Sequence, residues 1–259
     1  MVKQLYIPLL VLFFLACRPD ETQPTLVMNA LLVDQQPLSV ELVLLNDFVI
    51  EAADGAVVTI RFEGMDGMDE VQGYTLIRAA DDPTRFSAPE DAPPIESGKR
   101  YTLIATWDGQ QATASVVVPE PISFIQISNT SIPIDESSTG QPVFTVLWEA
   151  NPGFSRVFTL TEPSNDPVLI PFPVPSGRFN EQFRLPVPGQ GTTLWDIDFR
   201  YYGLHELGIY SIDAQYEALF FYSPGEGGAR LTRGPSNVEN GAGVVAAASY
   251  TGIEIEILP

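Results

Sequence analysis

The chain is poor in the residues that most often build catalytic centres, metal sites and covalent cross-links. Its 259 residues include one cysteine, Cys17, and one histidine, His205. A single cysteine rules out a disulfide framework within the chain, and a zinc site usually takes several His or Cys ligands. The G-x-S-x-G and H-E-x-x-H motifs of two hydrolase classes are also missing. The sequence therefore predicts neither an enzyme nor a cofactor or metal site.

Basic residues are scarce as well. Thirteen Lys and Arg stand against 33 Asp and Glu, which gives a formal charge of −20. A chain of this charge is a poor partner for phosphates, so nucleic acid is excluded as a partner class. Docking by a polybasic patch on an anionic membrane is excluded for the same reason. We interpret the acidic surface as a source of solubility, and the 45% hydrophobic residues suffice for packed cores.

Residues 1–16 have the pattern of a secretory signal. Lys3 precedes an apolar run from Leu5 to Ala16, which is too short to span a bilayer as a helix. The run ends in Phe-Leu-Ala-Cys, which resembles the lipobox of bacterial lipoproteins, where the cysteine is acylated and the peptide is cut before it. The sequence thus predicts a mature chain that begins at Cys17, is anchored by acyl chains such as palmitate and has a charge of −21.

The rest of the chain predicts an all-β protein in two domains. Proline (23 residues) and glycine (20 residues) interrupt helices throughout and leave short β-branched and aromatic runs between them. Residues 17–24 are polar and predict a short tether that follows the acylated cysteine. The predicted domains are 25–119 and 120–259, joined at Pro-Glu-Pro-Ile (119–122).

The first predicted domain is an immunoglobulin-like β-sandwich without the antibody disulfide. Side chains alternate in polarity over 100–107, and Asp108-Gly109 then favours a tight hairpin turn. Short strands at this spacing are typical of such sandwiches. The candidate strands are 25–33, 39–45, 56–62, 73–79, 100–107 and 112–118.

The second predicted domain is mainly β with one short helix. Strands at 142–150 and 155–161 flank Asn-Pro-Gly and predict a second hairpin. Residues 213–222 favour a helix capped by Asp213. The remaining candidate strands are 183–188, 191–202, 207–212 and 243–258.

Several of these segments together resemble one family of bacterial lipoproteins. They are LVMNALLVDQQP, VVTIRF, GYTL, GKRYTLIATWDGQQATASVVVPEP and PSNVENGAGVVAAAS, and they resemble domain-of-unknown-function family 4249 of Bacteroidota-type bacteria. Asn237, Gly241 and Gly243 stand at matching positions of the last segment. The resemblance implies an outer-membrane lipoprotein, and members of the family often accompany TonB-dependent transporters.

These observations predict a lipid-anchored accessory or binding protein of the outer membrane, associated with such a transporter. Asp20 and Glu21 lie close to Cys17 and resemble a surface-export signal, so the protein is expected to face the cell exterior. Two alternatives stay open at this point: an envelope hydrolase of unknown substrate, and a structural or adhesive surface lipoprotein.

Aromatic side chains are the candidates for partner contact, because buried aromatic anchors carry much of the energy of protein interfaces. Trp107 and Trp148 lie in apolar strands and are expected in the core. The candidate contact residues are Tyr201, Tyr202, Phe220, Phe221 and Tyr222.

Three other features are interpreted as structural. His205 is expected to be a surface or turn histidine, because no nucleophile or orienting group accompanies it. The acidic segment 63–70 offers oxygen ligands for calcium without the EF-hand spacing, so a solvated loop is the preferred interpretation and calcium the alternative. The glycine-rich segment 235–243 predicts a tight turn, because no GK[ST] follows that would indicate a phosphate cradle.

Overall fold

The structure is a computed structural model that describes residues 23–46, 49–63, 71–135, 140–149, 154–161, 168–171, 183–187, 190–221 and 236–259. Cys17, Tyr222 and residues 64–70 lie outside these ranges, and with them the predicted signal peptide and nearly all of the tether. Regular structure within the ranges is almost wholly β, which confirms the predicted fold class.

The strands follow one another in short, turn-separated segments, as the dense glycine and proline predict. A 3-10 turn at Asp196–Asp198 and one helix, α1 (Ala214–Phe221), are described beside them. The strands are β1 (Thr25–Val33), β2 (Ser39–Asn46), β3 (Val49–Ala52), β4 (Val57–Glu63), β5 (Val71–Thr75), β6 (Ile77–Arg78), β7 (Arg85–Ser87), β8 (Arg100–Trp107), β9 (Gln110–Val117), β10 (Phe124–Ile127), β11 (Ser131–Pro133), β12 (Pro142–Trp148), β13 (Ser155–Leu160), β14 (Val168–Leu169), β15 (Phe183–Val187), β16 (Gly191–Trp195), β17 (Tyr201–Ile212) and β18 (Val245–Leu258).

One long sheet runs through the molecule. Its strand order is β15-β13-β17-β18-β1-β2-β7-β6, and β11, β14 and β3 attach to it. Two smaller sheets, β5-β4-β8-β9 and β10-β12-β16, share hydrophobic cores with it. Each core is therefore closed between two sheets, which is the layered arrangement of a β-sandwich.

The first core lies between β1-β2-β7 and the four-stranded sheet. Alternate residues of β8 point into it, so that Tyr101, Leu103 and Ala105 are buried, as the period of two requires. The predicted hairpin of β8 and β9 is confirmed by their antiparallel pairing around Asp108 and Gly109. This half of the molecule has the predicted immunoglobulin-like sandwich architecture.

The second core lies between β17-β18 and the three-stranded sheet. Trp148, Phe144 and Phe199 are fully buried there, so the prediction that Trp148 is a core residue is confirmed. Trp107 packs at the edge of the first core and donates a hydrogen bond from Nε1 to Asp54 O at 2.9 Å.

Strand β18 takes part in both cores. Val245 and Ala247 belong to the first, whereas Ile253, Ile255 and Ile257 belong to the second. Its first residues pair in parallel with β1, and its later residues pair antiparallel with β17. The predicted domain boundary at 119/120 stays a prediction, and the structure adds that the last strand of the chain packs with both halves.

Two predicted elements are wrong. Residues 142–150 and 155–161 do not form a hairpin, because β12 pairs with β10 and β16 while β13 pairs with β15 and β17. The two segments lie in the opposed sheets of the second sandwich. The predicted strand 191–202 is interrupted at Asp196–Asp198, where carboxylates accept backbone hydrogen bonds from Gly140 N and Trp195 N and so compete with strand pairing.

Candidate functional site

The two predicted contact tyrosines begin β17 and are both half-buried. Tyr202 packs against the second core, and its hydroxyl donates to Ile134 O at 3.2 Å. The Arg200 guanidinium lies 5.3 Å from the centroid of the Tyr201 ring, within the range of a cation–π contact. Tyr202 is therefore held by the core, while the Tyr201 ring lies against a charged, exposed neighbour.

Apolar side chains are exposed around these tyrosines. Strand β14 pairs with the start of β17, with Val168 opposite Tyr202 and Leu169 opposite Tyr201. Val168 is 63% exposed, Leu169 56% and Leu204 54%. We call Val168, Leu169, Tyr201 and Leu204 the β14–β17 patch; because Val168 and Leu169 are consecutive strand residues that point to opposite faces, the name covers side chains on both faces of the paired strands. Burial of such side chains against another protein surface is favourable, because it removes apolar area from water.

The second aromatic segment lies elsewhere. Phe220 and Phe221 end α1, which follows the far end of β17, and their side chains and Tyr222 are outside the described part. The strand that separates α1 from Tyr201 has twelve residues, which corresponds to a length of about 36 Å at roughly 3.3 Å per residue. The structure thus places Tyr201 and Tyr202 at the start of β17 and Phe220 and Phe221 in the helix that follows its other end.

His205 is buried, which corrects the expectation of a surface or turn histidine. It is 2% exposed and sits in the middle of the regular strand β17. Its Nδ1 lies 2.9 Å from Thr161 O and its Nε2 lies 2.8 Å from Tyr201 O. The ring also meets Phe199 edge-on, with centroids 5.3 Å apart. Each ring nitrogen thus faces a backbone carbonyl, and the histidine links β17 to the residue that follows β13.

A polar cluster that the sequence did not reveal lies on β17 and β18. Tyr210 and Tyr250 face each other across the two strands with ring centroids 4.9 Å apart. The Tyr250 hydroxyl donates to Glu206 Oε1. Burial, followed by this hydrogen bond and the Glu206 charge, raises the pKa of Tyr250 well above its usual value. Only the register of β17 against β18 brings these residues together, so no local sequence pattern could have identified them.

The glycine-rich segment before β18 is structural, as predicted. Asn237 donates from Nδ2 to Val245 O at 2.7 Å and accepts at Oδ1 from Val245 N at 2.9 Å. Gly243 has a φ of +109°, a value that favours glycine. Thr113 and Glu239 exchange backbone hydrogen bonds, and Ala242 bonds to β1. The segment therefore bridges the two sheets of the first sandwich.

The described residues contain neither a metal-binding cluster nor a membrane-spanning helix. They contain no group of three or more His, Cys, Asp or Glu that is arranged to hold a metal ion. None of their helices has both the length and the apolar character to cross a membrane. Residues 64–70 of the acidic segment lie outside the described part of the chain, so this finding does not test the calcium alternative.

Comparisons with known proteins show distant likeness to solved structures. No protein-family model and no curated protein matches the chain. The FN1–FN3 domains of chicken CNTN1 match at a TM-score of 0.28 and 10% identity, over 90% of this chain and 67% of that one.

Two Salmonella alpha-2-macroglobulin structures match over 93% of this chain and 16% of theirs. The mutant Y1175G has a TM-score of 0.24 and 13% identity, and the protein reacted with methylamine has 0.25 and 12%. Because all three TM-scores lie below 0.5, the fold class rests on the strands and sheets of the chain itself.

Proposed function

We propose that this protein is a lipid-anchored accessory protein of the outer membrane that binds another protein through the β14–β17 patch. The observation that carries the proposal is the exposure of Val168, Leu169 and Leu204 beside Tyr201 on paired strands. Aromatic anchors such as a tyrosine supply much of the binding energy of protein interfaces, and the aliphatic side chains beside it add apolar area that binding can bury. The surrounding sheet is packed on the second core, so little ordering is needed on binding.

The anchor in this proposal rests on the sequence. Acylation of Cys17 would leave eight residues, Cys17–Pro24, before β1, and such a tether spans at most about 28 Å. The first sandwich would then stay close to the bilayer. The resemblance of the chain to transporter-associated lipoproteins supports a TonB-dependent transporter as the partner and the cell surface as the location.

The proposal is tested by capture of the partner with patch variants. The tagged full chain is expressed in its host, extracted in mild detergent and isolated, and co-purified proteins are identified and quantified by mass spectrometry. Leu169→Asp and Leu204→Asp are expected to reduce a stoichiometric transporter partner at least about tenfold, because a charge would be buried in an apolar contact. Ile77→Asp, at a residue 60% exposed on β6, is the matched control.

The lipid anchor, the β14–β17 patch and the membrane partner are each tested by a different outcome. Cys17→Ser should yield a chain without lipid mass that no longer partitions into detergent, and a wild-type intact mass that shows cleavage elsewhere and no lipid would refute the anchor. Equal capture by the patch variants and the Ile77→Asp control would eliminate the β14–β17 patch. Isolation of the wild-type chain without any stoichiometric membrane partner would favour a structural or adhesive role.

A further inference from the structure

A row of polar side chains is buried where the two cores meet. Arg156 on β13 lies opposite Ser211 on β17, and Ser211 lies opposite Ser249 on β18. Residues paired across adjacent strands point to the same face of the sheet. On β18, Ser249 comes just after Ala247 of the first core and precedes Ile253 of the second. The row therefore crosses three strands between two hydrophobic clusters.

All three side chains are enclosed and incompletely satisfied. Arg156 is 3% exposed, Ser211 0% and Ser249 1%. Arg156 Nε, Ser211 Oγ and Ser249 Oγ are buried atoms without a hydrogen-bond partner. Native proteins leave few such atoms unpaired, because each loses its hydrogen bonds to water on folding. Three unpaired polar groups in one row point to a group that completes them.

The charge of Arg156 has no counter-ion among the described residues. Both hydrogen bonds of its guanidinium use Nη1, which donates to Phe154 O at 2.8 Å and Ser155 O at 3.1 Å. Asp213 is the other buried charged residue near this end of β17, and its carboxylate accepts from Tyr216 N at the start of α1. No ion pair within the described ranges joins Asp213 to Arg156. A buried charge without a partner is costly, and a bound anion would compensate it.

We propose that this row binds the carboxylate group of a small organic acid. With Nη1 already engaged, the guanidinium edge formed by Nε and Nη2 is available, and this edge matches the two oxygens of a carboxylate. The hydroxyls of Ser211 and Ser249 donate to the same ligand. The enclosure of the row favours a small molecule over a chain segment. This site is separate from the β14–β17 patch and does not depend on the proposed function.

Acetate is the probe for this proposal. Thermal unfolding of the purified chain is followed by circular dichroism while sodium acetate replaces sodium chloride at constant pH and ionic strength. The midpoint of the wild-type protein should rise saturably with acetate, because a ligand that binds the folded state stabilises it. Arg156→Met should abolish that response, and Arg200→Met, at an exposed arginine, should keep it.

The serines give a second measurement should Arg156→Met not fold. The double variant Ser211→Ala with Ser249→Ala should shift the acetate concentration for half-maximal response upward about tenfold, since two donors are lost. A wild-type midpoint that does not change with acetate overturns the proposal. An equal response in wild type and in the Arg156 or serine variants overturns it too.

Discussion

At the scale of single residues, the segment that precedes β18 is fixed by backbone contacts that few side chains permit. Asn237 uses both ends of its amide to pair with the backbone of Val245. Gly243 combines a φ of +109° with close approach to the backbone of Met28. The segment contacts β9, in one sheet, through Glu239 and then β1, in the other sheet, through Ala242. Asn237 and Gly243 therefore have a structural role in this turn.

Gly243→Ala should destabilise the protein strongly. A Cβ at this position would collide with Met28 O and lie 2.9 Å from Asn29 Oδ1, and the backbone would keep an unfavourable positive φ. We expect a loss of about 3 kcal/mol in the free energy of unfolding, measured by urea titration with circular dichroism. Gly55→Ala is the matched control, because its φ is +79° and a Cβ there meets nothing within 4 Å; it should cost about 1 kcal/mol. Equal losses would show that the contact with β1 is unimportant.

At the scale of elements, helix α1 is short and depends on Asp213. The carboxylate accepts a hydrogen bond from Tyr216 N at 2.9 Å, as an N-cap does. Val157, Ile212 and Ala248 form the small apolar cluster on which Tyr216 packs. Since Asp213 is 8% exposed, the cap brings a charge into a buried position, and this burial raises the pKa of Asp213 against the opposing effect of its backbone hydrogen bonds.

The cap and the charge of Asp213 can be separated by two variants. Asp213→Ala should lower the stability by about 1 kcal/mol, because the helix loses its cap, whereas Asp213→Asn keeps the hydrogen bond without the charge. An acid with a raised pKa in the folded state binds its proton more tightly there than in the unfolded state, so its contribution to stability falls as pH rises from 3.8 through the raised pKa.

The direction of the Asp213 pKa change can therefore be tested by comparing Asp213→Asn with wild type at two pH values. Asp213→Asn should be more stable than wild type at pH 7, because burial of the charged carboxylate is unfavourable, and the difference should shrink as the pH is lowered towards 4. Urea unfolding of both proteins at pH 7 and pH 4 measures this difference in the free energy of unfolding. A difference that grows on acidification would contradict the assigned direction of the pKa change.

At the scale of the whole molecule, β18 makes the two cores interdependent. Ile255 and Ala247 are both fully buried, one in each core, on the same continuous strand. Loss of β18 from either sandwich would expose apolar surface in the other. We therefore expect the two halves to unfold together.

Tryptophan fluorescence can test this cooperativity, because each core has its own reporter. Trp148→Phe leaves Trp107 at the first core, and Trp107→Phe leaves Trp148 in the second. Trp195, 39% exposed, is common to both variants. Each variant should show urea midpoints by fluorescence that coincide with its own midpoint by circular dichroism. Fluorescence transitions that precede or follow the circular dichroism transition would show that the cores unfold separately.

The sequence by itself determined the local conformation of much of the chain. Alternation over 100–107 and in Ile253–Ile257 identified strands and their buried faces, Asp108-Gly109 identified a hairpin, and Asp213 identified a helix start. Each of these signals is contained in a few consecutive residues, because side-chain period, turn chemistry and capping are short-range properties. The all-β class follows from their sum.

Only the tertiary structure decided which strands pair and what they enclose. Sequence proximity favoured a hairpin of β12 with β13, yet the two strands pair in opposed sheets. His205 is buried because β17 lies beside β13, and the row of Arg156, Ser211 and Ser249 exists because β13, β17 and β18 are in register. Partners as far apart in the sequence as Ser155 and Ile212 must be chosen by mutual burial and backbone pairing, which no local pattern encodes. The exposed β14–β17 patch arises in the same way, from the pairing of two strands that are distant in sequence.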